Sequence, residues 1–271
     1  MPIYRAAFLF ACVISVESNA LAASPSDLDR SPVDLVLSKD EGWLITVDQT
    51  SDSVSLVNVA EGKVAAELPC GHHPSAVAIS PDGRRLAVTA TYAGTLDLFN
   101  FNDGRLSPAG SIQIGFHPIG VAIATDGRTA YVALEAAAAV AVVDLEARQV
   151  LDRITVGRWP RWLALSPDGS RLAVGTSGDQ SLSVVDTKSR QMLFQERLQG
   201  LNIGHLAASA DGKYAYFPWM IYRQNPIDAR NIQAGWVLGS RIARVRLDEP
   251  SRRQAMTLDE RGKAVADPHG I

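Results

Sequence analysis

Short runs in which apolar and polar residues alternate, each closed by a turn signal, recur along most of this chain. The clearest specimen is Trp159 to Asp186: Trp159-Pro-Arg-Trp162-Leu-Ala-Leu-Ser166, a Pro-Asp-Gly turn, a second apolar run to Gly175, a polar loop, and Ser181-Leu-Ser-Val-Val-Asp186. A period of two over runs this short predicts β-strands, and Pro-Asp-Gly predicts tight turns between antiparallel neighbours. Aligned on the turn aspartate, the units place Asp40, Asp82, Asp126, Asp168 and Asp211 at intervals of 42 to 44 residues. Strand-patterned units of that length match propeller blades.

The first unit predicts four strands, at 32–38, 43–47, 54–59 and 64–68. Later units open at Pro74, Pro118, Pro160 and Asn202, and their third strands (Leu96 to Phe101, Val140 to Leu145, Leu182 to Asp186) are rich in β-branched residues and Leu. Such strands suit sheets covered on both faces by neighbours. The expected fold is therefore an all-β propeller of four-stranded antiparallel blades over 31–271, five present, with the start of a sixth at Asp267 to Ile271. Pro268 takes the place of Pro74, Pro118 and Pro160 there, and a repeat that stops inside a unit points to a longer parent or to missing blades supplied by a partner. The fifth unit departs from the pattern: Trp219 to Gly239 replaces a short loop with about twenty residues, an insertion long enough to be functional.

Charge and cysteine usage narrow the function. With a net charge of −3 and a pI near 6.0 there is no global electrostatic pull toward nucleic acid or an anionic membrane. Arg241, Arg244 and Arg246 read as a solvated strand face. Residues 1–23, with Arg5, the apolar run Ala6 to Val16 and Ala20-Leu-Ala-Ala, predict a cleaved export signal. That run is too short to span a bilayer, so no membrane span is expected after cleavage, 24–30 is a linker, and the location is periplasmic or secreted. Cys70 is then the sole cysteine of the mature protein. It excludes an internal disulfide and reads as a small buried residue.

Pro118-Ile-Gly-Val-Ala-Ile-Ala-Thr-Asp-Gly127, Tyr131-Val-Ala-Leu134 and Val140-Ala-Val-Val-Asp144, with Pro74-Ser-Ala-Val-Ala-Ile-Ser-Pro-Asp-Gly83, resemble the YVTN family of β-propeller repeats over Ser31 to Asp248. Departures fall at the naming tetrapeptide: Ile45 to Asp48, Ala87 to Ala90, Ala173 to Thr176 and Tyr216 to Trp219. The resemblance implies a WD40-like, seven-bladed ring and, in some chains, a following c-type cytochrome or di-haem peroxidase-like domain. No Cys-x-x-Cys-His occurs here. It also implies that the loop entering each first strand and the loop between second and third strands share one face around a channel.

Nine residues before each turn aspartate stand Ser31, His73, His117, Trp159 and Asn202; six before it stand Asp34, Ala76, Gly120, Trp162 and His205. The candidate binding rim is accordingly His73, His117, Arg158, Trp159, Arg161, Trp162, His205, Trp219, Tyr222, Arg223, Trp236 and His269. Trp, Tyr and Arg are the side chains that dominate protein-docking hot spots. The expected function is a non-enzymatic extracytoplasmic docking module, partnering a c-type cytochrome or redox enzyme on the resemblance. The alternative is a propeller enzyme, either with copper, zinc or haem iron on the rim histidines or lactonase-like. The sequence names no cofactor, shows no nucleophile arrangement, and puts no carboxylate beside a histidine at fixed local spacing. The repeated Ser38, Ser80, Ser166 and Ser209 read as structural.

Overall fold

The computed structural model describes residues 29–198, 200, 202–222, 225–234 and 237–258. The expected export signal, the start of a sixth blade, Arg223, Trp236 and His269 lie outside the described residues. Five four-stranded antiparallel sheets follow one another, each an up-and-down meander. Blade 1 is β1 (Pro32–Leu37), β2 (Trp43–Asp48), β3 (Ser53–Asn58) and β4 (Lys63–Pro69); blade 2 is β5 (Pro74–Ile79), β6 (Arg85–Ala90), β7 (Thr95–Asn102) and β8 (Arg105–Gln113). Blade 3 is β9 (Pro118–Ile123), β10 (Thr129–Leu134), β11 (Ala139–Asp144) and β12 (Gln149–Thr155). Blade 4 is β13 (Pro160–Leu165), β14 (Arg171–Thr176), β15 (Ser181–Asp186) and β16 (Gln191–Arg197). Blade 5 is β17 (Ala207–Ala208), β18 (Tyr214–Tyr222), β19 (Leu238–Arg246) and β20 (Gln254–Thr257). The first strands lie side by side, β1 on β5, β5 on β9, β9 on β13 and β13 on β17, so the sheets are arranged like propeller blades.

Each pair of successive blades encloses its own apolar core. Alternation along a strand sends one set of side chains to the preceding blade and the other to the next. Leu86, Ala130, Leu172 and Ala215, one from each second strand, are fully buried in the four interfaces. Their counterpart in blade 1, Leu44, is only half-buried, and Leu35 is 56% exposed where Val77, its counterpart, is buried. The outer face of blade 1 therefore keeps the composition of an interface. Blade 5 differs on its open side. Arg244 pairs with Tyr216 across the sheet where blades 1 to 4 set Leu56, Leu98, Val142 and Val184. The guanidinium lies 4.3 Å from the centre of the Tyr214 ring and donates to Gln254 Oε1, so this face mixes polar groups with the apolar side chains of Ile242 and Met256.

The turns explain the repeated Ser and Asp. Ser38, Ser80, Ser166 and Ser209 each donate to the aspartate two residues on at 2.5 Å and accept a backbone N–H five residues on at 2.9 Å. They fasten the turns. Blade 3 has Ala124 instead, and Asp126 takes its bonds from Thr129. The serine hydroxyl, with backbone and side-chain bonds from Ser170, holds the Asp168 carboxyl down at about 2. Because the folded value lies below the ordinary one near 3.8, the unfolded chain takes up the proton first. The stabilisation is complete above about pH 5 and is lost as pH falls toward 2. Melting curves between pH 5 and 2 should show Ser166→Ala losing less stability on acidification than the parent; an unchanged acid slope would refute the role of this turn.

Two expectations need correcting. The fifth blade resumes its third strand at Leu238, not Arg241, because β18 and β19 run on in register as a lengthened hairpin, Tyr222 opposite Leu238. Its tip carries a short helix, α1 (Ala229–Gln233), capped by Asp228, which accepts from the Asn231 N–H at 2.7 Å. Trp219 is 2% exposed and packs between blades 4 and 5, so it belongs to the core and not the rim. Cys70 is half-buried, and burial, with Asp97, Asp52 and Asp48 nearby, pushes its thiol up to about 12. Such a group stays protonated and unreactive at neutral pH.

Candidate functional site at the channel mouth

All five entrance residues adopt the same unusual backbone. Ser31, His73, His117, Trp159 and Asn202 have φ between 48° and 60°, the left-handed region that non-glycine residues seldom enter. In blades 1 to 4 the carbonyl of this residue accepts the N–H that opens the second loop, from Gln49, Thr91, Glu135 and Ser177. The entrance loop and the loop between second and third strands are thereby tied together, blade after blade. Two of these entrance side chains, His73 and His117, line a pocket of about 290 Å³. It is lined by Val33 and Gln49, by His73, Ser75, Thr91 and Tyr92, by His117, Ile119 and Glu135, and by Arg161 and Trp162. Four blades contribute.

Side chains six residues before the turn aspartate fill the seam between first strands. Asp34 Oδ2 accepts the Val77 N–H at 2.9 Å, Trp162 stacks on His205 with ring centres 3.7 Å apart, and His205 Nδ1 lies 4.0 Å from Asp34 Oδ1. Blade 5 is thus linked to blade 1 across the axis. Burial raises the Asp34 carboxyl, opposed by the Val77 bond and by His205.

Histidines meet carboxylates here after all. His117 Nδ1 lies 2.7 Å from Glu135 Oε2 and His72 Nδ1 2.8 Å from Asp52 Oδ2. Asp52 also accepts the His73 N–H; against the pull of partial burial, these bonds lower its carboxyl below the usual range. No local spacing carries these pairs, since the partners sit 18 and 20 residues apart and are brought together by the hairpin turns. Arg158 is held by Asp179, whose carboxyl the guanidinium and the Arg158 N–H lower. It opens on a separate polar cleft with Gln180, Gln195 and Arg197, outside the mouth pocket. Tyr222, exposed on the lengthened hairpin, does not line the mouth either.

The rim histidines are kept apart by aromatic rings. His73 stacks on Tyr92 at 4.1 Å, with Tyr92 between it and His117, and His205 lies against Trp162. Among the described residues no three His, Cys, Asp or Glu side chains come together as a metal-ligand group. Three aromatics stand exposed at the loops of adjacent blades: Tyr92, 56% exposed, which lines the pocket, Phe116, 71%, against His117, and Trp159, 60%, at the entrance of blade 4. Tyr92 and Phe116 escaped the sequence reading; a search for aromatics within two residues of the entrance and second-loop positions would have found both.

The class of protein this arrangement defines is a propeller-like all-β protein with a pocket lined by residues of four blades. No protein-family profile matches the chain, and no curated protein sequence does. The resemblance to YVTN repeats therefore stands on its motifs alone. Among solved structures, one titled Kuenenia stuttgartiensis hydrazine synthase is similar over 90% of this chain and 70% of its own, at 25% identity and a TM-score of 0.81. A functionally unknown protein from Desulfotomaculum acetoxidans DSM 771 is similar over 73% of this chain and 67% of its own, at 17% identity and a TM-score of 0.61. In all, 1568 solved chains resemble this one, so the likeness fixes architecture and leaves function to the site.

Proposed function

We propose that this chain is a non-enzymatic, extracytoplasmic binding module that docks another protein on the channel-mouth rim. The carrying observation is three exposed aromatics on adjacent blades, Tyr92 lining the pocket, Phe116 against the lining His117, and Trp159 at the entrance of blade 4, two residues before the lining Arg161. Large aromatics at the edge of a pocket act as anchors, because they bury much area for little rotamer entropy. The hydrazine synthase likeness and the repeat's resemblance support a c-type cytochrome or a redox enzyme as the first partner to try.

Binding of a purified c-type cytochrome to the immobilised protein tests this directly. Trp159→Ala and Phe116→Ala should each weaken the complex roughly 10-fold or more, with the melting temperature unchanged. Full affinity in both variants would remove the rim from consideration. A second reading, a hydrolytic enzyme, draws on one observation: His117, paired with Glu135 beside the Arg161 guanidinium, has the geometry of an oriented general base. Turnover of lactone esters lost in His117→Gln would favour it over docking.

A further inference from the structure

We infer that the mouth pocket takes a carboxylate, gripped by Arg161 with His117 and His73 at its sides. This deepens the docking reading by naming the group that anchors the partner: an Asp or Glu side chain.

The inference rests on which polar groups at the mouth are already satisfied. Glu135 has both oxygens facing basic groups: Oε2 receives His117 Nδ1 at 2.7 Å, and Oε1 lies 3.7 Å from Arg161 Nε. That second separation is an ion pair without a hydrogen bond, and no other hydrogen-bond partner of the Arg161 guanidinium is found among the described residues. Arg158, three residues earlier, by contrast has its guanidinium hydrogen-bonded to Asp179 Oδ1 and to the Gly178 carbonyl. Arg161, 45% exposed, thus contributes to the pocket lining a planar fork of donors that has no hydrogen-bonded acceptor among the described residues. The ring nitrogen Nδ1 of His73 is enclosed at the same pocket and likewise has no partner among the described residues. With Nδ1 of His117 committed to Glu135, its Nε2 is the nitrogen left for a ligand.

Arg161, His117 and His73 all line this pocket, and the one carboxylate among its lining residues, Glu135, is already matched. A cation would face Arg161, and the flat faces of Trp162 and His73 are each covered on one side by a stacked ring. An acceptor with two oxygens in one plane satisfies the fork, and charge-assisted bidentate bonds of this kind are the strong ones. At about 290 Å³ the pocket has room for an acidic side chain and not for a large ligand.

The test uses the whole protein and sodium acetate as probe, following imidazole NMR signals at constant ionic strength balanced with sodium chloride. Saturable shifts of His73 and His117 are expected, with His72, paired to Asp52, as the internal control. Arg161→Gln, its fold checked by melting temperature, should weaken the response at least 10-fold. A shift that never saturates, one that chloride reproduces, or one that survives in Arg161→Gln overturns the site. N-acetyl-glutamate amide should bind and its glutamine counterpart should not; equal binding of the two also overturns it. Acetate should displace a docked partner. Docking that acetate leaves intact sinks the anchoring carboxylate but not the docking surface, whereas acetate binding with no partner on the rim sinks docking and leaves a small-acid site.

Discussion

Gly120→Ala is expected to destabilise the protein by roughly 3 kcal/mol, read as a lowered urea midpoint. A Cβ built on Gly120 would stand 2.1 Å from the Arg161 carbonyl oxygen and 3.3 Å from the Trp162 Cα. Both are backbone atoms of β13, so no side chain can swing aside to relieve the clash. The first strands of blades 3 and 4 would have to separate, opening the seam on which Arg161 and Trp162 are carried. The same variant should therefore lose the acetate response as well as stability. A loss under about 0.5 kcal/mol, ordinary for an uncrowded site, would mean that the two strands are not so closely set.

Trp219→Ala should cost about 3 to 5 kcal/mol, a large share of the roughly 5 to 15 kcal/mol that holds a domain folded. Trp219 fills the interface of blades 4 and 5 among Leu182, Phe217 and Leu198. Trp159→Ala should change stability little, since its ring stands out in solvent. Chemical denaturation of the two variants side by side separates a core tryptophan from a rim tryptophan. Equal losses would contradict the assignment of either.

Those two residues mark where the sequence becomes ambiguous. Both read as aromatic neighbours of a binding face, Trp159 by its entrance position and Trp219 by adjacency to the insertion. Only the ends of the insertion proved to be strand, Trp219 to Tyr222 and Leu238 to Gly239, because β18 and β19 continue their pairing to Tyr222 and Leu238. That continuation keeps Trp219 in the alternation of its strand, on the side that faces blade 4. Periodicity within a blade was readable; how far past the usual length the pairing would persist was not.

The entrance register was legible in full. Counting back from the turn aspartates located His73, His117 and Trp159, and each occupies the same left-handed position in its blade. What the count could not supply was partnership. Glu135, Asp52 and Asp179 lie in second loops, and their contacts with His117, His72 and Arg158 form only when a hairpin folds back to the entrance of its own or the next blade. Histidines that look like a ring of ligands in the alignment are parted by Tyr92, a residue with no repeat-wide counterpart.

Sequence alone determined the all-β architecture, the blade boundaries and the Ser-Asp turns, whereas the shared face of the entrance and second loops was an implication of the family resemblance. The first three are set by local period and turn chemistry, which repeat every 42 to 44 residues. The tertiary structure decided which aromatics are buried, which basic groups are neutralised, and that Arg161 is left with donors to offer. Those outcomes depend on contacts between blades, where the nearest atoms come from residues tens of positions apart and no pattern within one unit records them.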